Sequence, residues 1–483
     1  MKKKLNLILT GILLSLFSFL IYTLSDSFFP TTDSVSNNFT AANIIHNKSL
    51  DLTNLKKDLI NKGIIDISVS SPKNQKIYSR TPILNGILSV PFFYLSDKLY
   101  KIESPSNNFI LNSDYYQIIG KRYASLISAI SVFIVFFCFL NFSQNFKLSL
   151  WGSITYAFGS FIFSTASQAN WQHALSALLI SLVYFFLIKY FQNNKNKYLV
   201  PIPFILLIAY LARPIFITYI IALIILLIFY KKYKESLWST GIIVIGIISY
   251  RLICNSIGIP DGYSNVIVDS LKNINIFYSL KVFISLLISP NCGLFIFHPV
   301  FIFSFIGIFY LVKNTINKKY NFLKFPIILF SILNIIFIFG LNTIWYYWPG
   351  GVSWGPRLLT EAIIPLLFLS IYYFSNLKTH IKLNQIIFII LLLISTFNSI
   401  VCIFCNTGEW NAKYWNNRTF FAGTWEYQPS MINFYIFNKR SFFTKKLTFQ
   451  NQQLLLRTKT YLLHIPEKRI KIIYDHTDIL KTN

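Results

Sequence analysis

Several ionisable side chains stand out because they lie in or beside apolar runs: Asp33, His173, Arg213, His298, Arg357 and Glu361. An ionisable group at the edge of a bilayer is costly and usually lines a cavity or pathway. Arg357 and Glu361 follow the loop Trp345-Tyr346-Tyr347-Trp348-Pro349-Gly350-Gly351-Val352-Ser353-Trp354-Gly355-Pro356. Its glycines let backbone approach a ligand closely, and its rings, Trp348 and Trp354 among them, offer faces to a sugar or a lipid headgroup. A carboxylate in such a set can take a proton from an attacking hydroxyl, and Arg or His can stabilise a departing phosphate. Structural roles compete with these. Asp33 can cap a helix, Arg213 can snorkel, and His173 and His298 can be hydrogen-bonded interior groups. Arg357 and Glu361, spaced i, i+4, can pair with each other on one helix.

The elements that must hold these residues follow from composition. Of 483 residues 54% are hydrophobic, 18% aromatic and only 13% charged, about half the charge of a soluble chain, so the sequence reads as an all-α, multi-pass membrane protein. Forty-four Lys and Arg against seventeen Asp and Glu give a net charge of +27. In a membrane protein that excess follows from cytoplasmic loops and anionic lipid, without nucleic acid as a partner. The five cysteines, Cys138, Cys254, Cys292, Cys402 and Cys405, are spread over apolar segments and read as buried packing; the Cys402/Cys405 pair has no second pair to complete a zinc site.

Apolar runs predict a retained signal anchor to about residue 24 and further spans near 123–141, 149–167, 172–191, 199–212, 215–230, 237–256, 294–312, 325–341, 358–376 and 384–405, about eleven in all. The run 199–230 is too long for one helix across a ~30 Å core and has lysines at both ends, so a hairpin is expected at Arg213-Pro214. With the N-terminus cytoplasmic, the short cytoplasmic loops collect Lys2, Lys3, Lys4, Lys147, Lys189, Lys195, Lys197, Lys231, Lys232, Lys234, Lys313, Lys318, Lys319, Lys324, Lys378 and Lys382, opposed only by Glu235. The loop 25–122 and the segment 407–483 then lie on the extracytoplasmic side, leaving 1–406 as the membrane domain. Stretches 52–60 and 83–100 suggest interfacial helices, whereas 434–437 and 469–474 look strand-like and suggest a small, partly β cap. The chemically interesting residues all fall at the outer depth.

No nucleotide-binding glycine loop, D-x-D pair or H-E-x-x-H motif is present. The stretches Pro30-Thr31-Thr32-Asp33-Ser34, Ser79-Arg80-Thr81-Pro82, Tyr156-Ala157-Phe158-Gly159, Ser167-Gln168-Ala169-Asn170-Trp171-Gln172-His173, Ala212-Arg213-Pro214 and Pro349–Arg357 with Glu361 and Pro365 resemble bacterial integral-membrane glycosyltransferases of the GT-C superfamily. That group includes protein O-mannosyltransferases and the lipid A aminoarabinose transferase. The resemblance implies a GT-C-like fold in the bacterial inner membrane. The implied reaction moves a sugar from a polyprenyl-phosphate donor to a lipid, glycan or protein acceptor of the cell envelope. It implies Asp33 as catalytic base and Arg357 as a ligand of the lipid phosphate, with His173, Arg213, Trp348, Trp354 and Glu361 as further substrate-binding candidates. A second acidic residue found in many such enzymes has no clear match here, Asp26 and Asp51 lying outside a motif, so no cofactor is expected and a divalent metal stays open. A flippase or transporter of lipid-linked glycans, and a non-catalytic assembly protein, are the competing readings.

Overall fold

Runs of about 20 apolar residues can be accommodated in a bilayer only as helices, because each backbone polar group must find its partner within the segment. The computed structural model describes residues 2–24, 31–53, 68–71, 73–79, 81–100, 113–260, 275–316, 325–345, 348–351, 353–377, 381–405, 410, 424–425 and 430–438. In chain order these form α1 (Lys2–Thr23), α2 (Thr32–Asn47), β1 (Ser68–Ser70), β2 (Ile77–Ser79), α3 (Ile83–Tyr100), α4 (Ser113–Ser143), α5 (Phe146–Phe158), α6 (Phe161–Ser164), α7 (Gln172–Asn193), α8 (Pro201–Ala212), α9 (Ile217–Phe229), α10 (Tyr233–Ile257), α11 (Ile276–Ile288), α12 (Leu294–Phe297), α13 (Ile302–Ile316), α14 (Phe325–Ile344), α15 (Ile363–Asn376), α16 (Ile381–Cys405) and α17 (Met431–Asn433). Among the described residues seven helices are long and apolar enough to cross a membrane, and Asn196–Ala212, Pro214–Phe229, Ile276–Ile288 and Pro299–Thr315 are shorter apolar helical stretches. The chain is a multi-pass, all-α membrane protein. Its described β structure is one antiparallel ribbon, with Val69 opposite Tyr78.

Differences from the sequence expectations trace to helix breakers. The span expected at 149–167 stops at Phe158, because Gly159 caps α5 and the Ser160 hydroxyl accepts from the Ile162 N–H to start α6. A Cβ on Gly159 would sit 2.5 Å from Leu392 Cδ1, so the glycine is also where α16 comes close. The span at 294–312 breaks at His298-Pro299, where proline supplies no N–H. The hairpin at Arg213-Pro214 is present, with Arg213 in extended conformation between α8 and α9. The apolar helix α11 was not among the expected spans. Residues 434–437, expected as a strand, form a helical turn after α17: Ser430 caps the helix by accepting from Asn433, and Tyr435 packs at 6.0 Å against Trp354. Asp26, Arg80, Tyr346, Tyr347, Val352, 54–60, 469–474 and the rest of 439–483 lie outside the described residues.

Burial divides the helices by role. The stretch Arg357–Asn376 is the most enclosed span, with 83% of its apolar window buried, whereas the window of α10 is 11% buried. The first is the spine of the core and the second a peripheral helix whose apolar side chains meet lipid. Glu361, two residues before α15, is buried with this spine.

Candidate functional site

Helix α2 places Asp33, and its own start is fixed by a capping box: Thr31 Oγ1 accepts from the Ser34 N–H, and Ser34 Oγ accepts from the Thr31 N–H. Asp33 thus sits in the first turn of a helix, not in an open loop. Residues 34–43 of α2 are all buried, and the polar ones are satisfied by neighbours. Asn37 donates to the Asn170 carbonyl at 2.8 Å, Asn170 donates to Asn38 Oδ1 at 3.0 Å, and Asn38 donates to Gln117 Oε1 at 2.9 Å. Thr81 donates to Asn37 Oδ1 at 3.1 Å. Close approach is possible because α3 and α4 present glycines: a Cβ on Gly86 would lie 2.8 Å from Thr40, and one on Gly120 would lie 2.2 Å from Asn38 Oδ1. A buried amide ladder of this kind fixes the rotation of α2, since each unmade bond would leave a desolvated group.

That rotation aims Asp33 at Arg357, 3.7 Å away, with the two side chains 27% and 14% exposed respectively. The Arg357 guanidinium lies over the Trp171 ring, 5.1 Å from its centroid, and the Trp171 indole N–H donates to Thr31 Oγ1. Trp171 therefore touches both the cation and the cap of the helix that carries the carboxylate. Behind Arg357, Gly350 adopts φ +84°, and a Cβ there would come within 2.9 Å of Arg357 Cγ. Gly355, at φ +61°, lies face-on to Phe297 in the same way. These glycines serve the packing of the chain on its own arginine and phenylalanine.

A second ionic cluster lies beside the first. Arg213 Nη1 donates to Glu361 Oε1 and is 2.7 Å from His173 Nδ1, which is 3.2 Å from the same carboxylate oxygen. Which ring nitrogen of His173 carries the proton decides whether it donates to Glu361 or accepts from Arg213. The Glu361 side chain is fully buried, its backbone carbonyl accepts from Tyr219 OH at 2.7 Å, and among the described residues its Oε2 has no hydrogen-bond partner. Arg357 and Glu361 do not pair with each other. Residues 357–362 wind as a 3₁₀ helix, and at three residues per turn positions four apart point in different directions.

The sequence-predicted residues thus fall into three places. Asp33 and Arg357 form a partly exposed pair, while His173, Arg213 and Glu361 form a buried cluster. Trp348 and Trp354 are interior, 0% and 2% exposed, Trp354 meeting Phe297 edge-on at 5.3 Å. In this conformation the two tryptophans wall the core. His298 is buried at the α12–α13 break, 4.3 Å from the Phe161 ring centroid. Thr31, Asn170, Trp171 and Tyr219 belong to the site and were not among its candidates. The Thr31–Ser34 spacing was a capping signal, and Trp171 stood next to His173 in sequence. Gly351-Val352-Ser353-Trp354-Gly355 spells G-x-S-x-G, but among the described residues no strand leads into it, and the Ser353 hydroxyl faces the Gly351 carbonyl at 3.5 Å. The strand-turn-helix context of a nucleophile elbow is missing.

Chemically, a partly exposed carboxylate beside a guanidinium can accept a proton while the cation meets an anion. In the second cluster Glu361 is fully buried and His173 and Arg213 are 5% and 10% exposed, so its carboxylate is the less accessible of the two. Among the described residues no group of three or more His, Cys, Asp or Glu side chains is arranged to hold a metal ion. Compared with known proteins, the chain matches no family model, and no curated protein is similar to it.

Proposed function

We propose that the chain is a membrane glycosyltransferase of GT-C type. It moves a sugar from a polyprenyl-phosphate donor to a lipid, glycan or protein acceptor on the extracytoplasmic side of a bacterial plasma membrane. In this reading the shorter apolar stretches and broken segments complete a bundle of about eleven spans, with the N-terminus cytoplasmic. The observation that carries it is the Asp33–Arg357 pair, a base and a cation 3.7 Å apart and partly accessible at one end of the bundle.

The reaction uses the pair as follows. The acceptor hydroxyl gives its proton to the Asp33 carboxylate as its oxygen bonds to the anomeric carbon. The bond from that carbon to the phosphate oxygen breaks, and the electron pair leaves with the lipid phosphate, whose charge Arg357 meets. Arrival of the phosphate at Arg357 draws the guanidinium from Asp33 and leaves the carboxylate free as a base. Trp171 supports the exchange by holding the guanidinium plane.

The test is transfer from a panel of radiolabelled polyprenyl-phosphate sugars in membranes carrying wild type, Asp33→Asn or Arg357→Ala at matched protein levels. Transfer by the wild type, and its loss in Asp33→Asn, is the expected result. If no donor yields product while the purified wild type binds or moves a lipid-linked glycan, catalysis is abandoned for transport.

A further inference from the structure

The end of the bundle opposite the Asp33–Arg357 pair is rich in lysine. Lys189 donates to Asn141 Oδ1 at 2.7 Å and Lys232 to Asn194 Oδ1 at 3.1 Å, which ties together the ends of α4, α7 and α9. At this end one face each of α5, α15 and α16 leaves a cavity of about 220 Å³. Lys147 and Gln385 stand at its mouth, near the first turns of α5 and α16. One helical turn along, Trp151 lies four residues from Lys147 and Ile389 four from Gln385; Ile371, Phe374 and Phe388 also line the cavity, as does Ser370, whose hydroxyl is already bonded to that of Ser304 at 2.9 Å. The spacing i, i+4 puts the polar residue and the apolar one on the same face of each helix, so polarity changes along the cavity from mouth to floor.

Among the described residues no acidic side chain lines this cavity. Trp151 is 40% exposed, a ring whose apolar body faces the chain region and whose N–H can reach the headgroup level. A cation and an amide at the mouth, aromatic and aliphatic walls below, and no carboxylate to repel an anion match one amphiphile: a phosphate-bearing headgroup with a single net negative charge, followed by an acyl chain. A zwitterionic headgroup brings its own ammonium toward Lys147, which opposes its binding.

We propose that this cavity is a binding site for one anionic phospholipid, its phosphate on Lys147 and Gln385 and one chain between Trp151 and Ile389. The bound lipid fills the gap between α16 and the α5–α15 pair. This inference does not depend on the transferase reading.

The experiment uses the full chain in phosphatidylcholine vesicles containing increasing fractions of either brominated-chain phosphatidylglycerol or brominated-chain phosphatidylcholine. Bromine quenches tryptophan on contact, and the difference between wild type and Trp151→Phe isolates the signal of Trp151. The expected result is that phosphatidylglycerol quenches Trp151 at about fivefold lower fraction than phosphatidylcholine, the ratio that one lysine near an anionic surface gives. Lys147→Gln removes that preference and Lys147→Arg keeps it. Lys147 is exposed, so both variants are expected to elute as the wild type does. Equal quenching by the two lipids, no quenching by either, or a preference that survives Lys147→Gln overturns the proposal.

Discussion

Two ionic clusters lie side by side, and the difference between them is instructive. Asp33 and Arg357 meet at 3.7 Å, both partly exposed. Arg213 and Glu361 are in direct contact, the glutamate fully buried, with His173 closing the group. An exposed, loosely made pair contributes little to stability and can change partners, whereas a buried pair cannot lose one member cheaply. The first arrangement suits a site that binds and releases; the second suits the frame around it.

The comparison can be broken at four points. The largest expected effect is on function: Asp33→Asn lowers sugar transfer by about 10²–10⁴-fold, while thermal unfolding in detergent shifts by less than ~1 kcal/mol. Equal losses in activity and stability would erase the distinction between the clusters. Next, Glu361→Ala leaves Arg213 as a buried unpaired charge and destabilises the protein by roughly 3–5 kcal/mol, whereas Glu361→Leu with Arg213→Met recovers most of that loss. The same unfolding measurement reads both. Third, Trp171→Leu removes the ring beneath Arg357 and the donor to Thr31, and weakens binding of inorganic phosphate. Trp171→Phe loses only the N–H, worth about 1 kcal/mol, so phosphate titration of the two variants separates ring from donor. Smallest is Thr31→Val, which deletes the cap of α2 at a cost of about 1 kcal/mol and raises hydrogen exchange at the first turn.

Much of the frame was legible because it is written in apolar length. The start of α7 near residue 172, the turn at Arg213-Pro214 and the long α16 each follow from an apolar run bounded by lysine, proline or polar residues. Helix α2 was not legible: Ser34, Ser36, Asn37, Asn38, Thr40 and Asn43 are weak helix formers, and the amides of Asn37 and Asn38 find partners in Thr81 just before α3, Gln117 on α4 and Asn170 in the segment before α7. Tertiary hydrogen bonds overrode local preference. Among the site residues, gathering at one end was visible from sequence depth, but the partnering was not. The i, i+4 pairing of Arg357 with Glu361 assumed an α-helix, and the turn 353–356 leads instead into a 3₁₀ helix. Trp348 and Trp354 drew attention as aromatic faces, yet a ring in a glycine-rich loop packs inward as readily as it faces a ligand.

The winding of residues 357–362 has a mechanical consequence. Six residues rising ~2.0 Å each span about 12 Å in a 3₁₀ helix, against about 9 Å in an α-helix at 1.5 Å per residue. The azimuth between Arg357 and Glu361 is about 120° in the first winding and about 40° in the second. Rewinding this segment would shorten it by ~3 Å and swing Arg357 toward the side that Glu361 occupies. The height of the 348–356 loop and the choice of partner for Arg357 are therefore one screw coordinate: a pull on the loop turns the arginine, and a turn of the arginine moves the loop.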